Sequence, residues 1–230
     1  MPPEARRPLP PDLAQKLAAE ALGTGLLVAT VVGSGIMAER LSDDAAVALL
    51  ANAIPTGAIL FVLVTVLRPV SGAHLNPAVT LVFGLQRALP PAAALLYGLA
   101  QTAGAAAGTV LAHLMFEAPA IALGSQARTG AAQWLSEGVA TFGLVATILV
   151  GLRTAPRAIP ALVGGYIVAA YWFTASTAFA NPAVTLARSL TATFSGIRPL
   201  DVPAFIAAQS AGALLALGLC RWLLARKSPA

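Results

Sequence analysis

SGAHLNPAVTL (Ser71–Leu81) and STAFANPAVTL (Ser176–Leu186) are one motif written twice, 105 residues apart. Each opens an apolar segment of about a dozen residues, enough for half a bilayer and no more. Other features repeat in the same order. AQTAGA (Ala100–Ala105) returns as AQSAGA (Ala208–Ala213), and Glu20 with Thr24 returns as Glu137 with Thr141. Such self-similarity marks an internal duplication. Asparagine is a favoured helix N-cap and proline a favoured first helical residue. Asn76-Pro77-Ala78 and Asn181-Pro182-Ala183 therefore each read as a cap followed by a helix start.

Around these half-spans lie six stretches long enough to cross a membrane: Leu17–Met37, Ala45–Leu67, Ala92–Met115, Trp134–Leu152, Ile159–Phe179 and Val202–Cys220. Of the 230 residues, 58% are hydrophobic and 10% charged, against about 25% charged in soluble chains. Mean hydropathy is +0.80. This balance excludes a soluble enzyme or a disordered hub. The formal charge of +5 comes from cations scattered singly between apolar runs, with no basic stripe to track phosphates. No nucleic-acid partner is expected. One cysteine, Cys220, excludes an internal disulfide and any Cys-based metal cluster, and two histidines argue against a His-built metal site; no cofactor or metal is expected, and no nucleophile–base pair that would mark an enzyme.

The expected fold is an all-α membrane protein of six transmembrane helices plus two re-entrant half-helices. Residues 1–16 read as a flexible cytoplasmic tail and 17–230 as one transmembrane channel domain, with repeats over about 17–115 and 134–220. Three spans per copy is an odd number, so the second copy is inverted, and transport sites lie at the midplane interface of such repeats. Counting cations in the connections sets the orientation. Arg6, Arg7, Lys16, Arg68, Arg87, Arg153, Arg157, Arg221, Arg226 and Lys227 fall on one side, and Arg40, Arg128, Arg188 and Arg198 on the other. Ten against four makes the first side cytoplasmic, with both termini on it.

Two half-helices meeting at the bilayer centre would present N–H groups and partial positive charge to whatever passes. Neutral molecules can accept hydrogen bonds there, whereas cations and hopping protons are repelled. SGAHLNPAVT, the second NPA, the intramembrane acids Glu20 and Glu137 and the paired AQxAGA segments resemble the major intrinsic proteins, the aquaporins and aquaglyceroporins, over the whole chain. The resemblance implies a pore in every protomer, a homotetramer in the cell membrane, and passage of small neutral solutes and water.

For Glu20 and Glu137 two readings stand: proton carriers of an ion-coupled transporter, or, as the resemblance implies, acceptors for the N–H groups of the re-entrant loops. The symmetric duplication favours the second. Gln101 and Gln209 are expected to bond between helices, and Gly104 and Gly108 to allow close helix contact. His74 is placed in the cytoplasmic half of the pore, where it could titrate. His113 is placed at the membrane interface, and Trp134, Trp172 and Trp222 as interface anchors or packing residues.

Most family members carry an arginine directly after the second Asn-Pro-Ala; here it is Val184. Ungapped spacing from the family puts the other filter positions at Thr56, Ala169 and Ala178. That set lacks a ring and a charge, which predicts a wide constriction. Arg188 follows one turn later and is expected either to line the outer vestibule or to point to headgroups. The Val-containing motif resembles a bacterial subgroup associated with arsenic resistance. The resemblance implies glycerol-like molecules and metalloid hydroxides such as arsenicals as cargo, a strict water channel being the alternative.

Overall fold

The computed structural model describes residues 11–225. Asp12 starts the first helix with a capping box: its carboxylate accepts from the Gln15 N–H, and the Gln15 side chain accepts from the Asp12 N–H. Helix α1 then runs Leu13–Leu41, so the tail ends at Asp12 rather than at residue 16. Residues 1–10 of the expected tail, with Arg6 and Arg7 of the charge count, and Arg226 and Lys227 lie outside the described residues.

Helices α2 (Ala45–Ser71), α3 (Pro77–Leu85), α4 (Pro91–Met115), α5 (Ala131–Thr154), α6 (Ile159–Phe173), α7 (Pro182–Arg188) and α8 (Val202–Leu223) follow. Five of them, α1, α2, α4, α5 and α8, are long and apolar enough to cross a membrane by length and composition. The fifth of the six expected spans is shorter than its apolar run. Helix α6 stops at Phe173, and the residues up to Asn181 are non-helical. A 3₁₀ turn, Pro156–Ala158, precedes α6. Together the two rise about 28 Å, close to the hydrocarbon thickness.

The packing repeats with the sequence. Helix α1 packs on α4 and α2, as α5 packs on α8 and α6. The half-helices bridge the repeats: α3 and α7 each pack on both α4 and α8, and α3 meets α7. Contact between α2 and α6 joins the halves. The interior holds polar side chains, whereas Leu22, Val66, Leu99, Leu135 and Leu215 each leave more than half of their surface outside the protein. Nothing apolar covers them, which suits a surface solvated by acyl chains.

The repeated AQxAGA glycine explains how closely the helices approach. A Cβ on Gly104 would strike the Ala21 carbonyl on α1, and one on Gly212 the Gly138 carbonyl on α5. Gly98, on the same helix as Gly104, has open space around it. Gly104→Val is expected to destabilise the fold by about 3 kcal/mol through overpacking, while Gly98→Ala is neutral or slightly stabilising. Thermal-unfolding midpoints of the two variants in detergent check this; equal midpoints would contradict the close α1–α4 contact.

Candidate functional site

Non-helical backbone within a membrane needs internal partners for its N–H groups. Here those partners are two carboxylates. Glu20 on α1 accepts from the His74 and Leu75 N–H groups at 2.9 and 2.6 Å, one on each oxygen. Glu137 on α5 accepts likewise from Phe179 and Ala180, both at 2.9 Å. Gln101 and Gln209 each donate to the corresponding glutamate, at 2.7 and 2.6 Å, and also to Thr80 or Thr185 on the half-helix. Both acids are fully buried.

These contacts hold an unfavourable backbone. Gly72, Ala73 and Leu75 have φ of 92°, 49° and 49°, and Thr177, Ala178 and Ala180 have 60°, 47° and 48°. The two sets match position for position at the 105-residue offset. Left-handed geometry at a residue with a Cβ costs about 1–2 kcal/mol. Hydrogen bonds to a charged acceptor contribute about 1.5–3 kcal/mol each, so the carboxylates offset the strain.

The loops deliver the two asparagines tip to tip. Asn76 Oδ1 caps α3 by accepting from the Ala78 N–H at 2.9 Å, and Asn181 Oδ1 caps α7 by accepting from Ala183 and Val184 at 3.0 and 3.3 Å. One Asn76 amide N–H donates to the Ala180 carbonyl, and one of Asn181 to Leu75, both at 2.7 Å. An amide has two N–H donors and one oxygen. Each asparagine therefore has one N–H left over, while its oxygen is turned toward the helix it caps. Both side chains line a single cavity of about 250 Å³. At its middle the site can donate hydrogen bonds but offers no asparagine oxygen to a cation.

The cavity extends past the asparagines in both directions. At one end it is lined by Arg68, His74, Phe83, Leu152 and Ile159, and at the other by Thr56, Tyr171, Ala178, Phe179, Val184 and Arg188. His74 stacks on Phe83 with ring centroids 4.6 Å apart, and its Nδ1 lies 3.2 Å from Thr80 Oγ1. The Arg188 guanidinium lies over the Phe179 ring, 3.4 Å from its centroid. The two stacks occupy matching places in the repeat, since Phe179 corresponds to His74 and Arg188 to Phe83. Thr56 Oγ1 lies 3.3 Å from the Tyr171 hydroxyl.

Ala169, one of the four expected filter positions, is not in the cavity; it is exposed on the outer surface. Val163, Ile167 and Tyr171 line the cavity from α6, at the spacing of one helix face. Ala169 sits two residues, or about 200°, away from Tyr171. Tyr171, not Ala169, is the α6 residue that lines this end. The expectation of an end without ring or charge is corrected with it, because Tyr171, Phe179 and Arg188 all line that end. Thr56, Ala178 and Val184 do meet there. His113 is also corrected: it is 1% exposed, held by Thr191 and Ala120 inside the protein rather than at an interface.

Arg188 is fully enclosed by protein and cavity wall, with 1% of its surface exposed. Its Nε donates to the Ser195 carbonyl, and one terminal nitrogen, Nη1, has no protein partner. A second guanidinium, Arg128, lies 4.9 Å from the Phe179 centroid. Arg128 sits in the connection after α4 and donates to the carbonyls of Ser176, Phe194 and Gly196. Burial lowers its pKa to about 10, so it stays cationic at neutral pH. Sequence reasoning gave no function to Tyr171, Phe179, Arg128 or Ser195. The repeat alignment alone could have flagged Phe179, through His74.

An all-helical bundle with two broken segments meeting beside one cavity defines a channel-type membrane protein. The comparisons agree. Residues 10–174 match the family described as "Major intrinsic protein", and the chain belongs to that family. It is 64% identical over 218 residues to the aquaglyceroporin AqpS of Rhizobium meliloti (strain 1021), covering 95% of this chain and 94% of that one. It is 32% identical over 191 residues to the aquaporin NIP2-1 of Zea mays, covering 79% of this chain and 63% of that one. The X-ray structure of the aquaglyceroporin from Plasmodium falciparum has the same fold, with a TM-score of 0.73 at 21% identity over 92% of this chain and 95% of that one.

Glu20→Gln replaces an oxygen acceptor with an amide that faces the Leu75 or His74 N–H. A loss of about 3 kcal/mol is expected, read as a lower unfolding midpoint and a lower yield of folded protein. Wild-type stability in this variant would remove the carboxylate from its structural role.

Proposed function

We propose that the protein is a passive channel for small uncharged solutes, glycerol-like molecules and neutral metalloid hydroxides such as arsenicals, with water passing as well. The observation that carries this reading is the pair of asparagines at the cavity's centre, each with one spare N–H and its oxygen turned toward the helix it caps. Solutes rich in hydroxyl groups can accept from those donors while sliding along the aliphatic remainder of the wall. The relatives named aquaglyceroporin support the solute class. An ion-coupled transporter finds little support, because both oxygens of Glu20 and of Glu137 are already occupied by backbone and glutamine donors.

In this reading Asn76, Pro77, Ala78, Asn181, Pro182 and Ala183 form the central constriction, and Thr56, Ala178, Val184, Tyr171 and Phe179 surround the outer one. His74 lines the cytoplasmic half, and Glu20 and Glu137 support the loops. The protein works as a homotetramer in the cell membrane, with both termini cytoplasmic. Uptake of water, glycerol, urea and arsenite into proteoliposomes tests the cargo. Glycerol and arsenite uptake above that of empty vesicles, unchanged by a proton or sodium gradient, is the expected result; water uptake alone would instead give a strict water channel. Val184→Arg is expected to suppress glycerol uptake more than water uptake, and undiminished glycerol flux would remove Val184 from the constriction.

Arg188 supplies the charge that Val184 does not, one turn further out. A cation passing about 8 Å from it, at an effective dielectric constant of about 20, is opposed by about 2 kcal/mol. Arg188→Ala is therefore expected to raise potassium leak roughly thirtyfold at unchanged water flux. Unchanged leak in a reversal-potential measurement would end this role for Arg188.

A further inference from the structure

Helix α3 is followed by a tight turn, but α7 is followed by a longer strap, residues 189–198, that has no counterpart in the first repeat. The strap carries a row of hydroxyls. His113 Nε2 lies 2.8 Å from Thr191 Oγ1, Thr191 Oγ1 lies 2.9 Å from Thr193 Oγ1, and Thr193 Oγ1 lies 3.3 Å from Ser195 Oγ. Ser195 then gives its carbonyl to Arg188 Nε. His113, Thr191 and Ser195 are essentially inaccessible.

The chain has a direction. His113 Nδ1 faces the Ala120 carbonyl at 3.1 Å, and a carbonyl only accepts. Nδ1 therefore carries the ring proton and Nε2 is the acceptor. The Thr191 hydroxyl donates to Nε2, Thr193 to Thr191, and Ser195 to Thr193. The carbonyls on either side of Ser195, those of Phe194 and Gly196, go to Arg128. The Ser195 carbonyl is thus located from three sides before Arg188 reaches it. Arg188 itself has no other protein hydrogen bond through Nε, and Nη1 has none at all.

We propose that His113 and Thr191 are positioning residues for the cavity's charged end: through the Thr191–Thr193–Ser195 row they fix the carbonyl that aims the Arg188 guanidinium across the passage. This rests on the reading of Arg188 as the cation barrier. With the row cut, the strap no longer fixes the Ser195 carbonyl. Arg188 then loses its single Nε anchor and samples positions away from the axis. Cation exclusion weakens while the central asparagines, and hence water flux, are untouched.

The experiment reconstitutes the full chain and four variants, Thr191→Val, Thr191→Ser, Arg188→Ala and Thr191→Val with Arg188→Ala, and measures potassium leak alongside water flux. Valine keeps the shape of threonine without the hydroxyl, and serine keeps the hydroxyl. Thr191→Val is expected to raise leak several-fold at wild-type water flux, Thr191→Ser to match wild type, and the double variant to match Arg188→Ala alone. A leaky Arg188→Ala beside a tight Thr191→Val overturns this proposal and spares the reading of Arg188. A tight Arg188→Ala overturns both. Leak that adds in the double variant overturns the proposal, since the two residues would then act separately. If Thr191→Val gives no water flux, Thr193→Val cuts the next link and is read by the same outcomes.

Discussion

Everything in this structure depends on two buried carboxylates, each accepting two consecutive backbone N–H groups of a loop that has no other means of staying in the membrane. Without Glu20 and Glu137 the N–H groups of His74 and Leu75, and of Phe179 and Ala180, the last two residues before each asparagine, would lose their partners, and Leu75 and Ala180 the bonds that hold their left-handed φ values. With them, the loops turn sharply and aim two short helices at each other. The glutamines from α4 and α8 complete the arrangement, tying each acid to a threonine one turn into its half-helix. The burial of both acids is tolerable because every charge-bearing oxygen is matched with a donor.

From that anchoring follows the chemistry of the passage. The asparagine side chains divide their hydrogen-bonding capacity between the helix they cap, the opposite loop and the cavity, and only a donor remains for the cavity. The aliphatic remainder lets a solute's carbon side slide without binding. Charge enters at one end through Arg188, which is held by its neighbours rather than by a counter-ion, and at the other through Arg68, which donates to the Pro156 carbonyl.

Most of the architecture was legible in the sequence, because duplication made it redundant. The half-helices could be read from Asn-Pro-Ala chemistry, and the acids from the rarity of carboxylates in apolar spans. The glycines in AQxAGA, which set the α1–α4 and α5–α8 distances, carried their meaning twice. What escaped were features fixed by register and by non-local contact. Ala169 failed because a helix that begins two residues differently turns its face by more than half a circle, and spacing counted across a loop cannot detect that. The end of α6 at Phe173 escaped because the re-entrant loop, residues 174–180, carries no charge, proline or glycine to mark where the helix stops. The burial of His113 escaped because its partner, Thr191, is 78 residues away. Tyr171 lines the Arg188 end of the cavity and Arg128 lies over Phe179 beside it, from separate elements, and no local pattern announces that meeting.

The two aromatic stacks have a consequence for how the duplicated scaffold diversifies. His74 on Phe83 and Arg188 on Phe179 occupy equivalent sites, yet one pair is a pair of rings and the other carries a permanent charge. A twofold frame has thus come to hold an imidazole on one stack and a guanidinium on the other. A solute arriving from the two membrane faces meets different first encounters, although its journey through the middle is the same either way.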